Sequence, residues 1–322
     1  MRLRPLGRTA LQVGELCLGT MNFGPRTPEP EAFALLDHAL DHGINLIDTA
    51  DQYGGSLGVG ATESLLGRWL AQGGERRDRI VLAAKVHEPM SPRPNDRGLS
   101  ARHIRLACDA SLRRLGTDHI DLYQMHHLDR SAPWDEIWQA MDTLVAQGKI
   151  TYVGTSNFAG WTIAQGAEVA RARASLGPVS EQSLYHLAER RIELEVIPAC
   201  EAYGLALLPW SPLAGGLLAG ALAAVDGDRR SAAGMRDRVE AMRPQLERWE
   251  ALCDELGEAP ADVGIAWLLH QPSVTAPIVG PRTMEQLDGA LQATTIALDD
   301  DVLERIDDIF PGPGPAPEAY AW

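Results

Sequence analysis

The chain has 322 residues, 45% hydrophobic and 23% charged, the proportions of a globular protein with a sizeable core. Its formal net charge of −15 argues against nucleic acid and anionic membranes as partners, since both repel an acidic surface. Cys17, Cys108, Cys200 and Cys253 are far apart and form no CxxC pair, so no disulfide framework or zinc site is expected and a reducing cytoplasm fits. The start, Met1-Arg2-Leu3-Arg4-Pro5, lacks the apolar core of a signal peptide, and no apolar run approaches the roughly 18–20 residues of a membrane span.

In chain order, the first fifteen residues read as a hairpin, with Pro5-Leu6-Gly7-Arg8-Thr9 as its turn, placed to close the bottom of a barrel. Strand-like runs follow at residues 16–19, 45–47, 80–84, 120–125, 150–154, 179–182, 206–210 and 275–279. Most are short apolar runs, as expected of a parallel sheet covered on its outer face. Helical stripes alternate with them. One carries Ile104, Cys108, Leu112 and Leu115, with Ser100 able to cap it. Another carries Trp134, Ile137, Trp138, Met141, Leu144 and Val145 and stops at Gly148. A late one starts at Pro260 and buries Val263, Ala266 and Trp267. Eight βα units predict an α/β fold, a (β/α)8 barrel, as a single domain over residues 1–322. The long gap between the last two strands holds Gly- and Arg-rich sequence and an extra helix near residues 235–256, expected on the catalytic face. The tail at 310–317 is proline-rich and non-helical. It leads to Tyr320 and Trp322, expected to cross the barrel face and lend an aromatic wall to a substrate pocket.

Asp48, Tyr53, Lys85 and His126 sit at or just past the ends of three of these runs. Neighbouring parallel strands would bring them into one pocket. A free tyrosine has a pKa of about 10, and a lysine ammonium beside it favours the phenolate and lowers that value. The lysine needs a carboxylate to stay charged inside a pocket. Asp48, Lys85 and Tyr53 suit those roles, and His126 can orient a substrate carbonyl or share the proton. His126-His127 cannot both ligate one ion from a strand, because adjacent residues face opposite ways, and no HxH pair exists. No metal is expected. The stretch from Gly54 to Gly60 is glycine-rich but gives neither GxGxxG nor a P-loop, so it reads as a flexible βα loop. Ile278-Val279-Gly280-Pro281-Arg282-Thr283 is a better nucleotide site: a strand ends, Gly280 allows close backbone approach, a helix begins, and Arg282 offers a phosphate fork. Trp210, in Trp210-Ser211-Pro212-Leu213, suits stacking on a flat ring or a place in the core.

With these residues in view, the chain resembles an aldo-keto reductase along nearly its whole length. The match is carried by Asp48-Thr49-Ala50 with Tyr53-Gly54, Ala84-Lys85, residues 118–126, Gly154-Thr155-Ser156-Asn157-Phe158, Glu181-Gln182, residues 210–213 and residues 280–283. The resemblance implies NADPH-linked reduction of a small-molecule aldehyde or ketone, with Tyr53 as proton donor supported by Asp48, Lys85 and His126. It implies Asn157 and Gln182 at the carboxamide and Trp210 stacked on the nicotinamide. Ser211, Leu213 and Gly215 match the pyrophosphate loop, Arg282 the group facing the 2′-phosphate, and Gln286 a further cofactor contact. Two departures stand out. The family's usual Glu-Asn pair at the adenine is Gly289 and Ala290 here, and the loop from Gly54 to Thr62 is somewhat long. The chain also looks similar to actinobacterial members that accompany deoxysugar pathways and act on nucleotide-linked keto-6-deoxyhexoses. Other members are channel β-subunits, which gives partner binding with little turnover as the alternative class.

Overall fold

The computed structural model describes residues 1–223 and 233–321. The Gly- and Arg-rich stretch at 224–232 and Trp322 lie outside the described residues. The strands are β1 (Leu3–Pro5), β2 (Gln12–Gly14), β3 (Cys17–Gly19), β4 (Leu46–Asp48), β5 (Val81–Val86), β6 (Ile120–Met125), β7 (Ile150–Ser156), β8 (Pro178–Gln182), β9 (Ala206–Leu207) and β10 (Ile278–Val279). β3 to β10 form one parallel sheet in the order β10-β3-β4-β5-β6-β7-β8-β9. Its two edges meet. Thr275 N–H donates to the Leu207 carbonyl at 2.9 Å and Ile278 N–H to the Pro209 carbonyl at 2.8 Å. The sheet is thereby curled into the (β/α)8 barrel that the eight runs predict.

β9 and β10 are shorter than the apolar runs that contain them. Pro209 and Pro277 stand inside those runs, and a proline has no N–H to give to a ladder. The hairpin of β1 and β2 is antiparallel, as expected. It sends Leu6 and Val13 into the inner cluster with Cys17, Leu46, Val81 and Leu122. This apolar plug fills the lower barrel.

The helices are α1 (Glu29–Asp41), α2 (Ala61–Leu70), α3 (Arg76–Arg79), α4 (Ala101–Leu115), α5 (Trp134–Ala146), α6 (Gly160–Ala172), α7 (Val196–Tyr203), α8 (Ala233–Ala241), α9 (Arg243–Leu256), α10 (Pro260–His270), α11 (Met284–Gln292), α12 (Asp300–Ile309) and α13 (Glu318–Ala321). Ser100 caps α4 by accepting the His103 N–H. α5 buries Ile137, Trp138, Met141 and Leu144, but Val145 is 44% exposed and not on the buried face. It lies at the edge of the stripe. The extra helix after β9 is two helices, α8 and α9, broken at Met242, with a proline in the first turn of α9. Pro244 cannot continue the helical bonding of α8.

Phe310 is buried edge-on against Trp249, and the proline run beyond it is non-helical. Tyr320 then lies on the single turn of α13, 61% exposed, with its hydroxyl donating to Glu195 Oε1 at 2.8 Å. Glu195 and solvent hold that ring, and Trp322, the other ring of the expected wall, lies outside the described residues.

Candidate active site

Side chains alternate across a strand, and the register of three adjacent strands decides what faces the barrel axis. Asp48 pairs with Ala83, and Lys85 with Gln124. Asp48, Lys85 and Gln124 therefore form one polar layer above the apolar plug. Lys85 is fully buried and Asp48 3% exposed. Lys85 Nζ donates to Asp48 Oδ2 at 2.5 Å, the Thr49 carbonyl at 3.0 Å and Tyr53 Oη at 3.1 Å. Asp48 Oδ1 accepts from Gln124 Nε2 at 3.1 Å and Gln182 Nε2 at 2.9 Å. Every donor of the ammonium is thus aimed at an oxygen, and the carboxylate is held from both sides.

Tyr53 reaches this layer from the turn after β4. Its N–H donates to the Ala50 carbonyl, and its carbonyl accepts the Thr62 N–H at the start of α2. Gly54 follows with φ 156°, and a Cβ there would stand 1.8 Å from the Gly58 carbonyl. Only glycine fits, so Tyr53 is pinned by a turn no other residue can make. His126 approaches from the end of β6, its ring 6.0 Å from that of Tyr53 and edge-on. The four residues expected to share a pocket do so.

Their proton affinities correct one expectation. The Tyr53 phenol is raised, not lowered: burial dominates, Lys85 pulls down, and Asp48 pushes up again. The carboxylate that keeps the lysine charged also offsets part of its field at the phenol. Tyr53 therefore keeps its proton at neutral pH, as a proton donor must. Burial works against the Lys85 charge, but Asp48 and then Tyr53 outweigh it and raise the ammonium. Burial first, then Lys85, drives His126 down to about 2, so its imidazole stays neutral. It stacks on His127, with ring centroids 5.0 Å apart.

The loops after β7 to β10 place the remaining residues. Asn157, at φ 60°, donates through Nδ2 to the His126 carbonyl at 3.1 Å. Its Oδ1 accepts the Trp210 indole N–H at 3.0 Å. Gln182 is turned into the barrel toward Asp48, and its Nε2 also donates to Gln124 Oε1. Ser211, Ala214, Gly215 and Gly216 all have positive φ, so the loop carrying Leu213 is a run of left-handed turns; the Ala214 and Gly216 N–H groups close onto the Ser211 and Leu213 carbonyls, and backbone of this kind forms nests suited to anions. Arg238 of α8 donates to the Ala214 carbonyl at 3.1 Å. The Asn22 amide holds the Gly280 carbonyl at 2.8 Å. Thr283 caps α11 by accepting the Gln286 N–H, and the Gln286 side chain accepts the Arg282 N–H at 2.8 Å. The expected helix N-terminus is present, with Arg282 beside it. A Cβ at Gly289 would meet Asp262 Oδ1 at 2.7 Å. The Asp262 carboxylate thus fills the space that a larger side chain at 289 would use.

Gln124 and Arg238 were not anticipated. Gln124 carried a signal, since it alternates with Leu122 and so faces the axis. Arg238 carried none, because its position follows from where α8 packs. Among the described residues, no group of three or more His, Cys, Asp or Glu side chains is arranged to hold a metal ion. None of their helices is long and apolar enough to cross a membrane.

Comparison with known proteins gives a consistent answer. The chain is 53% identical to the uncharacterized oxidoreductase YrpG of Bacillus subtilis, covering 98% of both chains. It is 33% identical to norsolorinic acid reductase stcV of Emericella nidulans, over 96% of this chain and 81% of that one. It is 31% identical to a probable voltage-gated potassium channel subunit beta of Arabidopsis thaliana, over 99% and 100%. None of these names supports the likeness to nucleotide-sugar reductases drawn from the sequence. The model of the aldo/keto reductase family matches residues 15–310, and with the barrel and its polar layer in place, the chain belongs to the aldo/keto reductase family.

Proposed function

We propose that the protein reduces an aldehyde or ketone to an alcohol, taking hydride from NADPH and the proton from Tyr53. The observation that carries this reading is Lys85 Nζ, lodged between Asp48 Oδ2 at 2.5 Å and Tyr53 Oη at 3.1 Å. NADPH, when bound, supplies the hydride. Trp210 and Asn157 would hold its nicotinamide end, the nest at Ser211, Leu213 and Gly215 its pyrophosphate, and Arg282 its 2′-phosphate, with Gly280 and Gln286 shaping that last turn. The residues present fit such an anionic ligand, because the nest and two arginines counter the acidic net charge locally.

The chain's own part of the reaction follows from its geometry. His126, neutral and edge-on to Tyr53, orients the carbonyl oxygen toward the phenol. As the oxygen gains negative charge, Tyr53 gives up its proton, and Lys85 stabilises the phenolate that remains. Asp48, fixed by Gln124 and Gln182, keeps Lys85 aimed. The low local dielectric strengthens each of these contacts.

Tyr53→Phe tests the reading. NADPH consumption with a panel of aldehydes, ketones and one nucleotide-linked keto-deoxysugar should fall about 10²–10⁴-fold, while NADPH binding stays nearly intact. A variant keeping more than about a tenth of wild-type kcat would remove Tyr53 from the role. Arg282→Ala tests the cofactor. It should weaken NADPH about 10–100-fold and leave NADH little changed, since only NADPH carries the 2′-phosphate. Equal losses would mean that Arg282 only shapes its loop. Binding of NADPH by the wild-type chain without turnover of any carbonyl would favour the β-subunit-like alternative.

A further inference from the structure

Glu181 precedes Gln182 in β8 and faces the other side of the strand. It is fully buried. Its Oε1 accepts the Ser183 hydroxyl at 2.6 Å and the Phe158 backbone N–H at 3.2 Å. Oε2 has no hydrogen-bond partner among the described residues. Each contact leads to a different part of the proposed cofactor site. Phe158 follows Asn157, whose N–H donates to the Gln182 carbonyl at 3.0 Å. Ser183 accepts the Trp210 backbone N–H on its carbonyl at 2.9 Å. The indole N–H of Trp210 then returns to Asn157 Oδ1. The loops after β7, β8 and β9 are thus closed into one ring of hydrogen bonds, and a single carboxyl oxygen takes two of the donors.

A ring of this kind has a use. Asn157 holds a left-handed backbone at φ 60°, a conformation that persists only where its surroundings over-determine it. Burial raises the Glu181 carboxyl to about 7, against the hydrogen bond of Ser183. A buried acid used only to fill space would be replaced at no loss by an apolar side chain. One that takes two donors leaves both unsatisfied when it goes.

We propose that Glu181 is a positioning residue that locks Asn157 and Trp210 into one clamp for the nicotinamide ring. The inference rests on the reading of this pocket as a dinucleotide site. Its loss is felt in cofactor affinity before it is felt in chemistry. Wild type, Glu181→Leu and Glu181→Gln are titrated with NADPH by quenching of tryptophan fluorescence, and each is also assayed for kcat and melting temperature. Glu181→Leu should bind NADPH about tenfold more weakly, because two donors lose their acceptor. Its kcat at saturating NADPH should fall by less than its affinity does. Glu181→Gln keeps an acceptor oxygen and should stay within about twofold of wild type. A folded Glu181→Leu with wild-type affinity, changed only in melting temperature, overturns the proposal, and so does a Glu181→Gln as weak as the leucine variant. If Glu181→Leu does not fold, Ser183→Ala decides. It removes one donor and should weaken NADPH about threefold, and unchanged binding overturns the proposal. A wild-type chain that binds neither NADPH nor NADH overturns the cofactor reading along with it, whereas a binding wild type with indifferent variants overturns the positioning role alone.

Discussion

Asp48 and Asp51 are three residues apart and equally hidden from solvent, yet their surroundings are opposite. On the pocket side, Asp48 offers its oxygens to three donors, one of them an ammonium. Behind it, neither oxygen of Asp51 has a hydrogen-bond partner among the described residues. The charged group that acts on it most is another carboxyl, Glu63, whose ion pair with Arg114 at 2.6 Å already engages the local cation. Burial, and then Glu63, push the Asp51 carboxyl well above its usual range. Glu63 is raised as well, by burial against the pull of Arg114. The number of donors within reach, and not depth, separates the two aspartates.

That comparison can be broken most sharply at the two cations. Lys85→Met removes the ammonium from the pocket side, and kcat should fall about 10²–10⁴-fold. Arg114→Met removes the cation from the back side, and kcat should stay within about threefold of wild type. Comparable losses in steady-state assays would mean that the two regions are one machine.

Stability should separate the carboxyls next. Asp48→Asn leaves Lys85 charged and buried without its counter-charge, and should cost about 3–5 kcal/mol in urea unfolding. Asp51→Asn keeps the shape of a side chain whose oxygens have no hydrogen-bond partner among the described residues, and should cost less than about 1 kcal/mol. Equal costs would refute the contrast between the two surroundings.

The smallest effect is in its pH dependence. A carboxyl raised by folding binds more protons in the native state, so its contribution to stability is fully present below its unfolded pKa of about 4. It is lost as pH rises toward the folded value. The melting temperature of Asp51→Asn relative to wild type should therefore climb from acid to neutral pH. A difference that is flat or falling over that interval would show Asp51 to be ionised.

The sequence made the pocket legible and left its support obscure. β6 spans residues 120–125 as the apolar run predicts, and the four residues at strand ends converge, because short parallel strands leave few ways to arrange them. Gln124 was readable from alternation alone. Asp51, Glu63 and Arg114 were not. Glu63 and Arg114 are 51 residues apart on two helices, and their meeting is set by how α2 crosses α4, which no local pattern records. The raised phenol was hidden for a related reason: its value is a balance among burial, Lys85 and Asp48, and residue types alone do not weigh those terms.

The hairpin of β1 and β2 has a further consequence. Leu6 and Val13 seat themselves among Cys17, Leu46, Val81 and Leu122, an apolar floor beneath the polar layer. That floor leaves the polar layer facing the other end of the barrel. On the proposed chemistry, a proton returning to Tyr53, a carbonyl arriving and an alcohol leaving all use the same opening, so a product that lingers also keeps the next proton out.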